Sequence, residues 1–253
     1  MKKIITSVCF VFLALGLSAQ EEQEMVKSNV IEIHVGGKVL RGPSVEYRGG
    51  KVHLALGPGG STGYDIDKVQ KIVSPMPSNV RNMWNAFLSG RFDKVATPFG
   101  KQVMEENRFL GWGKRAAFAY GYSLVKLGKA KEGKPVLTRA GGYIRGTDDK
   151  LDEQMIDLGI AAAEMSENKT DAAKKALQKI AKDLEPEAKA IYYNIEGDIF
   201  IKGGDENQAV LSYYKALLLD KSNPYERAYA KTKIQAVYKK LNDPRAEQIK
   251  NLN

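Results

Sequence analysis

The stretch AIYYNIEGDIFIKGGDENQAVLSYYKALLLD, residues 190–220, decides the fold. Tyr193, Gly197 and Phe200 recur at helical spacing, and Gly203-Gly204-Asp205 turns the chain. Ala209, Tyr213 and Ala216 then line one face of a second helix that ends at Asp220. Gly197 and Ala209 let the two helices approach closely, while Tyr193, Phe200 and Tyr213 fill the gap between them. Ala216 leaves room for a following hairpin. Outward from Gly204 the punctuation repeats: Gly90, Gly128, Ser166, Gly204 and Asn242 stand 38 positions apart, and Gly121, Gly159 and Gly197 each come seven residues before a turn. A fixed beat of turn residues between apolar periodic segments predicts an array of helical hairpins.

Residue by residue, residues 190–220 resemble a tetratricopeptide repeat: aromatic Tyr193, small Gly197, aromatic Phe200, turn Gly204, small Ala209, aromatic Tyr213, small Ala216. Two positions depart. Glu196 stands where the family prefers leucine and Lys221 where it prefers proline, with Pro224 three residues on. The other units are degenerate: Trp84, Phe87, Gly90 and Phe99; Gly121, Leu124, Gly128 and Leu137; Leu158, Gly159, Ala162, Ala172 and Ala176; Ile234, Tyr238 and Asn242. The resemblance covers residues 78–253 and implies a right-handed α-solenoid that binds partner proteins and rarely catalyses.

Upstream the period changes to two. Ile31, Ile33 and Val35 alternate with Glu32 and His34; Val45 and Tyr47, then Val52, Leu54 and Leu56, follow between Gly36-Gly37, Gly42-Pro43, Gly49-Gly50 and the Gly57–Gly60 loop. Tyr64 and Ile66 make another short strand, Asp67-Lys68 a single helical turn, and Val69 to Val73 closes the series. Five short strands with glycine-rich turns over residues 30–74 predict a small β-barrel packed on the first helices. Their order resembles SH3-like or Sm-like barrels. The whole chain is thus expected to be a multi-domain α and β protein, a small barrel followed by a helical array.

Residues 1–19 read as a secretory signal peptide: Met1-Lys2-Lys3, an apolar run from Ile4 to Leu17, and small residues before a cut after Ala19. Residues 20–29 read as a flexible acidic tail. The one cysteine, Cys9, sits mid-run rather than at a lipidation position. A mature chain from residue 20 then forms no disulfide, which suits a periplasmic or secreted protein of a bacterial envelope. Charge is uneven. Residues 81–150 hold fourteen basic and six acidic side chains; residues 20–80 hold seven of each and residues 151–253 sixteen and seventeen. That surplus reads either as a field for an acidic partner or as an ordinary solvated face.

Enzyme chemistry has no foothold. No Gly-x-Ser-x-Gly elbow, cysteine–histidine pair, dinucleotide fingerprint or phosphate loop occurs, and no cofactor is called for. His34 and His53, the only histidines, fall on the polar phase of their strands and fall short of a metal ligand set. In the resembled family the first helix of each hairpin lines the concave face. That places Arg115, Phe118, Tyr122 and Lys126 on one stripe, Arg81, Trp84 and Phe87 on one side of it, and Glu153, Ile156 and Ile160 on the other. Asn194, Asp198 and Lys202, then Tyr229, Lys239 and Lys240, come further along. Basic and aromatic side chains on such a surface suit an extended acidic peptide; as an alternative, Phe118 and Tyr122 are core packing between hairpins. The glycine-rich, basic segment Gly128 to Gly146 is expected to be a mobile loop, and Trp112 to be buried under the next helix. Two functional readings follow: an exported, non-enzymatic scaffold gripping a protein partner, or a binder of cell-wall glycan or another polyanion through the barrel and the basic stretch.

Overall fold

The structure, a computed structural model, describes residues 30–251. The expected signal peptide, the acidic tail and Cys9 lie outside the described residues. The chain divides into two compact units, the first ending at Pro75 and the second starting at Met76.

Among the described residues the first unit is built mainly of strands. β1 (Ile31–Val35), β2 (Lys38–Gly42), β3 (Val45–Arg48), β4 (Lys51–Gly57), β5 (Gly60–Asp65) and β6 (Val69–Val73) form two three-stranded antiparallel sheets, ordered β2-β1-β6 and β3-β4-β5. The single helical turn is a 3-10 turn at Ile66–Lys68. Gly36-Gly37 and Gly49-Gly50 all have positive φ, which two-residue hairpins require to match strand twist. Ile33, Val52, Leu54 and Ile72 are fully buried, and they are the inward phase of the predicted alternation. Six strands stand where five were counted: Lys38 to Arg41, where the chain resumes after the Gly36-Gly37 turn, is a strand of its own and pairs with β1 along its length. β5 also starts earlier than its apolar signal, because Gly60 to Thr62 pair with β4 through Leu54↔Thr62 and Ala55↔Ser61, a backbone ladder that needs no apolar side chains.

The second unit holds eleven α-helices among the described residues: α1 (Ser78–Leu88), α2 (Phe92–Val95), α3 (Pro98–Asn107), α4 (Gly113–Lys126), α5 (Ala130–Ala140), α6 (Asp149–Ser166), α7 (Thr170–Ile180), α8 (Lys189–Gly203), α9 (Glu206–Leu219), α10 (Pro224–Lys240) and α11 (Arg245–Gln248). Five hairpin turns share one hydrogen-bond pattern. In each, a left-handed residue donates its N–H three residues back, and the next residue donates five back: Gly90 to Phe87 and Arg91 to Ala86, Gly128 to Val125 and Lys129 to Leu124, Asn168 to Met165 and Lys169 to Glu164, Gly204 to Ile201 and Asp205 to Phe200, Asn242 to Lys239 and Asp243 to Tyr238. These are Schellman caps, which satisfy the last carbonyls of the first helix while reversing the chain.

Four of the five left-handed residues are on the 38-residue beat. The third is not: α6 runs through Ser166, and Asn168 takes the left-handed position. The register of that hairpin moves with it. Ala161, not Gly159, stands seven residues before its turn and is fully buried. Gly159 instead faces the preceding hairpin, where an added methyl would sit 2.7 Å from Leu137. Gly197 does hold the close crossing, with such a methyl 2.5 Å from the Tyr213 ring.

Residues 130–140 are helix α5, not a mobile loop. Gly133 lies against the Gly121 carbonyl, Leu137 is fully buried, and these contacts outweigh the poor intrinsic propensity of Gly133 and Pro135. Trp112 is buried. The two departures from the repeat pattern are also accounted for. Glu196 accepts from Ser212 Oγ at 2.7 Å, a polar pair where leucine is usual. Pro224 opens α10 at its first turn with Asn223 as the cap. The apolar interior falls into two clusters, a large one running from Val80 to Ile199 and a small one formed by α9, α10 and the C-terminal turn.

Candidate functional site: a polar seam inside the helical array

Three first helices of hairpins each present a row of side chains at steps of four: Tyr122 and Lys126 on α4; Asn194, Asp198 and Lys202 on α8; Tyr225, Tyr229 and Lys233 on α10. Residues four apart share one helix face, so each row points the same way. Together with Val125, Ala162, Met165, Ser166, Ile195 and Ile201 they line a cleft of about 420 Å³.

Its back wall is a buried polar network centred on Glu226, which has no exposed surface. Tyr122 Oη donates to Glu226 Oε1 at 2.8 Å across 104 residues of chain, Asn194 Nδ2 donates to Oε2 at 2.7 Å, and Lys126 Nζ pairs with Oε1 at 3.3 Å. A buried carboxylate is tolerable only with partners of this kind. Lys126 also lies over the Tyr229 ring at 4.5 Å and over Tyr122 at 5.0 Å, a desolvated cation held by ring quadrupoles. A second carboxylate, Asp198, accepts from Tyr213 Oη and Tyr229 Oη, each at 2.7 Å, and pairs with Lys233 at 3.0 Å. Burial and then the neighbouring carboxylate push the Tyr122, Tyr213 and Tyr229 phenols well above their ordinary range, and burial pushes Tyr225 up to about 12. All four stay protonated, and Tyr122, Tyr213 and Tyr229 act as donors. Lys202 differs from the other two cleft cations: its bonds go to the neutral Met165 carbonyl and Asn168 amide oxygen.

The sequence candidates thus separate. Tyr122, Lys126, Asn194, Asp198, Lys202 and Tyr229 converge on the cleft. Arg81, Trp84, Arg115 and Phe118 do not line it. Phe118 is fully buried among Trp84, Phe87 and Tyr122, its ring 5.2 Å from Phe87. Arg115 is 4% exposed, bonded to Asp152 and Asp148, with its guanidinium 4.8 Å from the Trp84 ring. Arg81 is exposed and donates to the Met76 carbonyl. Glu153 pairs with Lys114, Ile156 and Ile160 pack into the core, and Lys239 and Lys240 are exposed, Lys240 bound to Glu206. Sequence reading missed Tyr225, Glu226 and Lys233. The first and last continue the four-step row of Tyr229, a signal that was there to be used. Glu226 carries no such signal: it is a first-turn acid of α10 behind the Asn223 cap, a place where acids are common.

The charge surplus of residues 81–150 does not survive folding as one free field. Lys114 pairs with Asp149 and Glu153, Arg115 with Asp148 and Asp152, Lys126 with Glu226, Lys134 with Glu164, and Lys150 with Asp183 and Glu185. Most of these acids come from later hairpins. Among the described residues no group of three histidine, cysteine or acidic side chains is placed to hold a metal, and no helix is long and apolar enough to cross a membrane. His34 lies near Glu32, and His53 sits on the other sheet, opposite Gly63.

A hairpin array with Schellman turns, small residues at its crossings and a lined inner cleft defines a helical-repeat protein. The sequence profile of the tetratricopeptide repeat-like domain matches residues 85–239, more than half of the chain, and the chain belongs to that family. A TPR repeat-containing protein of Methanocaldococcus jannaschii is 44% identical over 52 residues, 21% of this chain and 9% of that protein, so the match spans under a tenth of the relative's length. No solved structure matches the chain. Such repeats generally serve as protein–protein interaction scaffolds and are typically non-catalytic.

Proposed function

We propose that this chain is an exported, non-enzymatic scaffold that holds a partner protein through the cleft between α4, α6, α8 and α10. The observation behind this reading is the convergence of three four-step rows on one cleft, with an apolar floor, aromatic walls and cations at Lys126, Lys202 and Lys233. A partner segment with an apolar side chain for the floor and an acidic group for Lys202 matches that chemistry. The strand unit is, on this reading, a small SH3-like barrel offering a second contact surface; the strand order and the helical turn before β6 support it. The cell-wall or polyanion reading has less behind it, because the basic stretch is largely paired with carboxylates of the same array.

Capture of partners from an envelope extract tests the proposal. Wild type should retain a discrete protein at high salt, and Lys202→Glu with Lys233→Glu should lose it. Recovery only of anionic polymer, released by modest salt, would sink the scaffold reading in favour of the polyanion binder. Export is tested separately by the N-terminus of the protein recovered from cells, which should begin at Gln20.

A further inference from the structure

We infer that the contact between α10 and the first two hairpins is a reversible latch that gates the cleft. This inference rests on the binding reading above and adds its regulation.

In a hairpin array each unit normally touches only its neighbours. Here the last hairpin reaches back across the array. The Tyr225 ring stands 4.6 Å from Phe92, edge to face, over Gly90, where an added methyl would sit 2.4 Å from it. One residue on, Glu226 takes the hydrogen bond from Tyr122 and the ion pair from Lys126. The array therefore closes on itself through a small contact: the Tyr225 ring on Phe92, the Tyr122–Glu226 hydrogen bond, and Lys126 paired with Glu226 and lying over the Tyr225 and Tyr229 rings.

The chemistry of that contact makes it able to open. The closing contact has a small apolar part, the Tyr225 ring against Phe92 at the edge of the large cluster, and a polar part, Glu226 with Tyr122 and Lys126. Buried ion pairs add little net stability, because water solvates both members when they separate. Lys126, Tyr225 and Tyr229 are at once latch members and cleft walls. Separating α10 from α4 consequently widens the cleft and frees the Lys126 ammonium.

Spin labels at Lys94→Cys on α2 and Ala228→Cys on α10, both exposed positions, in full-length Cys9→Ser protein read the distance across the closure. One short distance should dominate. Tyr122→Phe, which keeps the ring and removes the donor, should raise a longer-distance population at least about tenfold, the effect of losing a hydrogen bond to a charged group. Tyr225→Ala, at a half-buried ring, should act in the same direction, with the helical circular dichroism of both variants unchanged. The rate at which an amine reagent modifies Lys126, followed by peptide mass, should rise in step. A single unchanged distance in both variants overturns the latch, as does a longer distance that appears only with loss of helical signal. Opened distances with an unchanged Lys126 rate overturn the gate. No partner enters these measurements, so a failed capture experiment and a failed latch are told apart.

Discussion

Arg115 and Lys126 stand eleven residues apart on α4 and met the same expectation, yet folding gives them different work. Arg115 is sealed against Asp152, and the burial of that carboxyl raises it to about 6, against the pull of Arg115. A carboxyl raised in the folded state stabilises the fold fully below its unfolded value, near 3.9, and that contribution is lost as pH rises through the folded value. The stability of wild type minus that of Asp152→Asn should therefore fall by about 2–3 kcal/mol between pH 4 and pH 7, measured by urea unfolding. A flat or rising difference would show that Arg115 wins over burial. Close crossings give a second residue-scale test. Gly197→Ala drives a methyl into the Tyr213 ring, and Tyr213 is pinned by Asp198, so the loss should be about 1–3 kcal/mol in thermal or denaturant unfolding. The fate of Arg115 was not legible in the sequence because its acids arrive 33 and 37 residues later, at the cap and in the first turn of α6. Asn194, Asp198 and Lys202 were legible as a row, since their spacing alone puts them on one helix face.

At the level of elements, turns carried most of the readable information. Positive φ selects glycine or asparagine, so Gly90, Gly128, Gly204 and Asn242 announce themselves. Asn168 was hidden by Ser166, which keeps the 38-residue count but belongs to the helix. The count is an average of the chain, while the cap is decided by which residue tolerates the left-handed region. That distinction can be measured. Asn168→Gly and Asn242→Gly should each stabilise the protein by some tenths to about 1 kcal/mol, and Gly128→Ala should cost about 1–2 kcal/mol although open space surrounds it. If Ser166→Gly stabilised instead, the cap assignment would be wrong. Helix α5 shows the opposite limit. Gly133 and Pro135 argue against a helix locally, and the information that overrules them lies in Gly121 on α4, against which Gly133 and Leu137 pack only in the folded hairpin.

For the whole molecule, closure changes what kind of object the array is. An open solenoid frays from its ends, each terminal hairpin losing only its one neighbour. In this chain the final hairpin has two sets of partners, α8 and α9 beside it and α1, α2 and α4 across the array. Its opening should then be coupled to the first hairpin rather than local. Hydrogen exchange makes the coupling visible. In Tyr225→Ala, amides of α2 and of the C-terminal part of α4 should exchange faster along with those of α10, although both segments are distant from the substitution in sequence. The amides of α7, which touch neither side of the closure, should keep their protection. Faster exchange confined to α10 and α11 would mean that the array frays like an open solenoid and that the contact with Phe92 and Gly90 adds nothing to the first hairpin. Faster exchange throughout the unit would mean a general loss of stability, with no closing contact of its own. Only the paired response, near in space and distant in sequence, fits an array held shut by Tyr225 and Glu226.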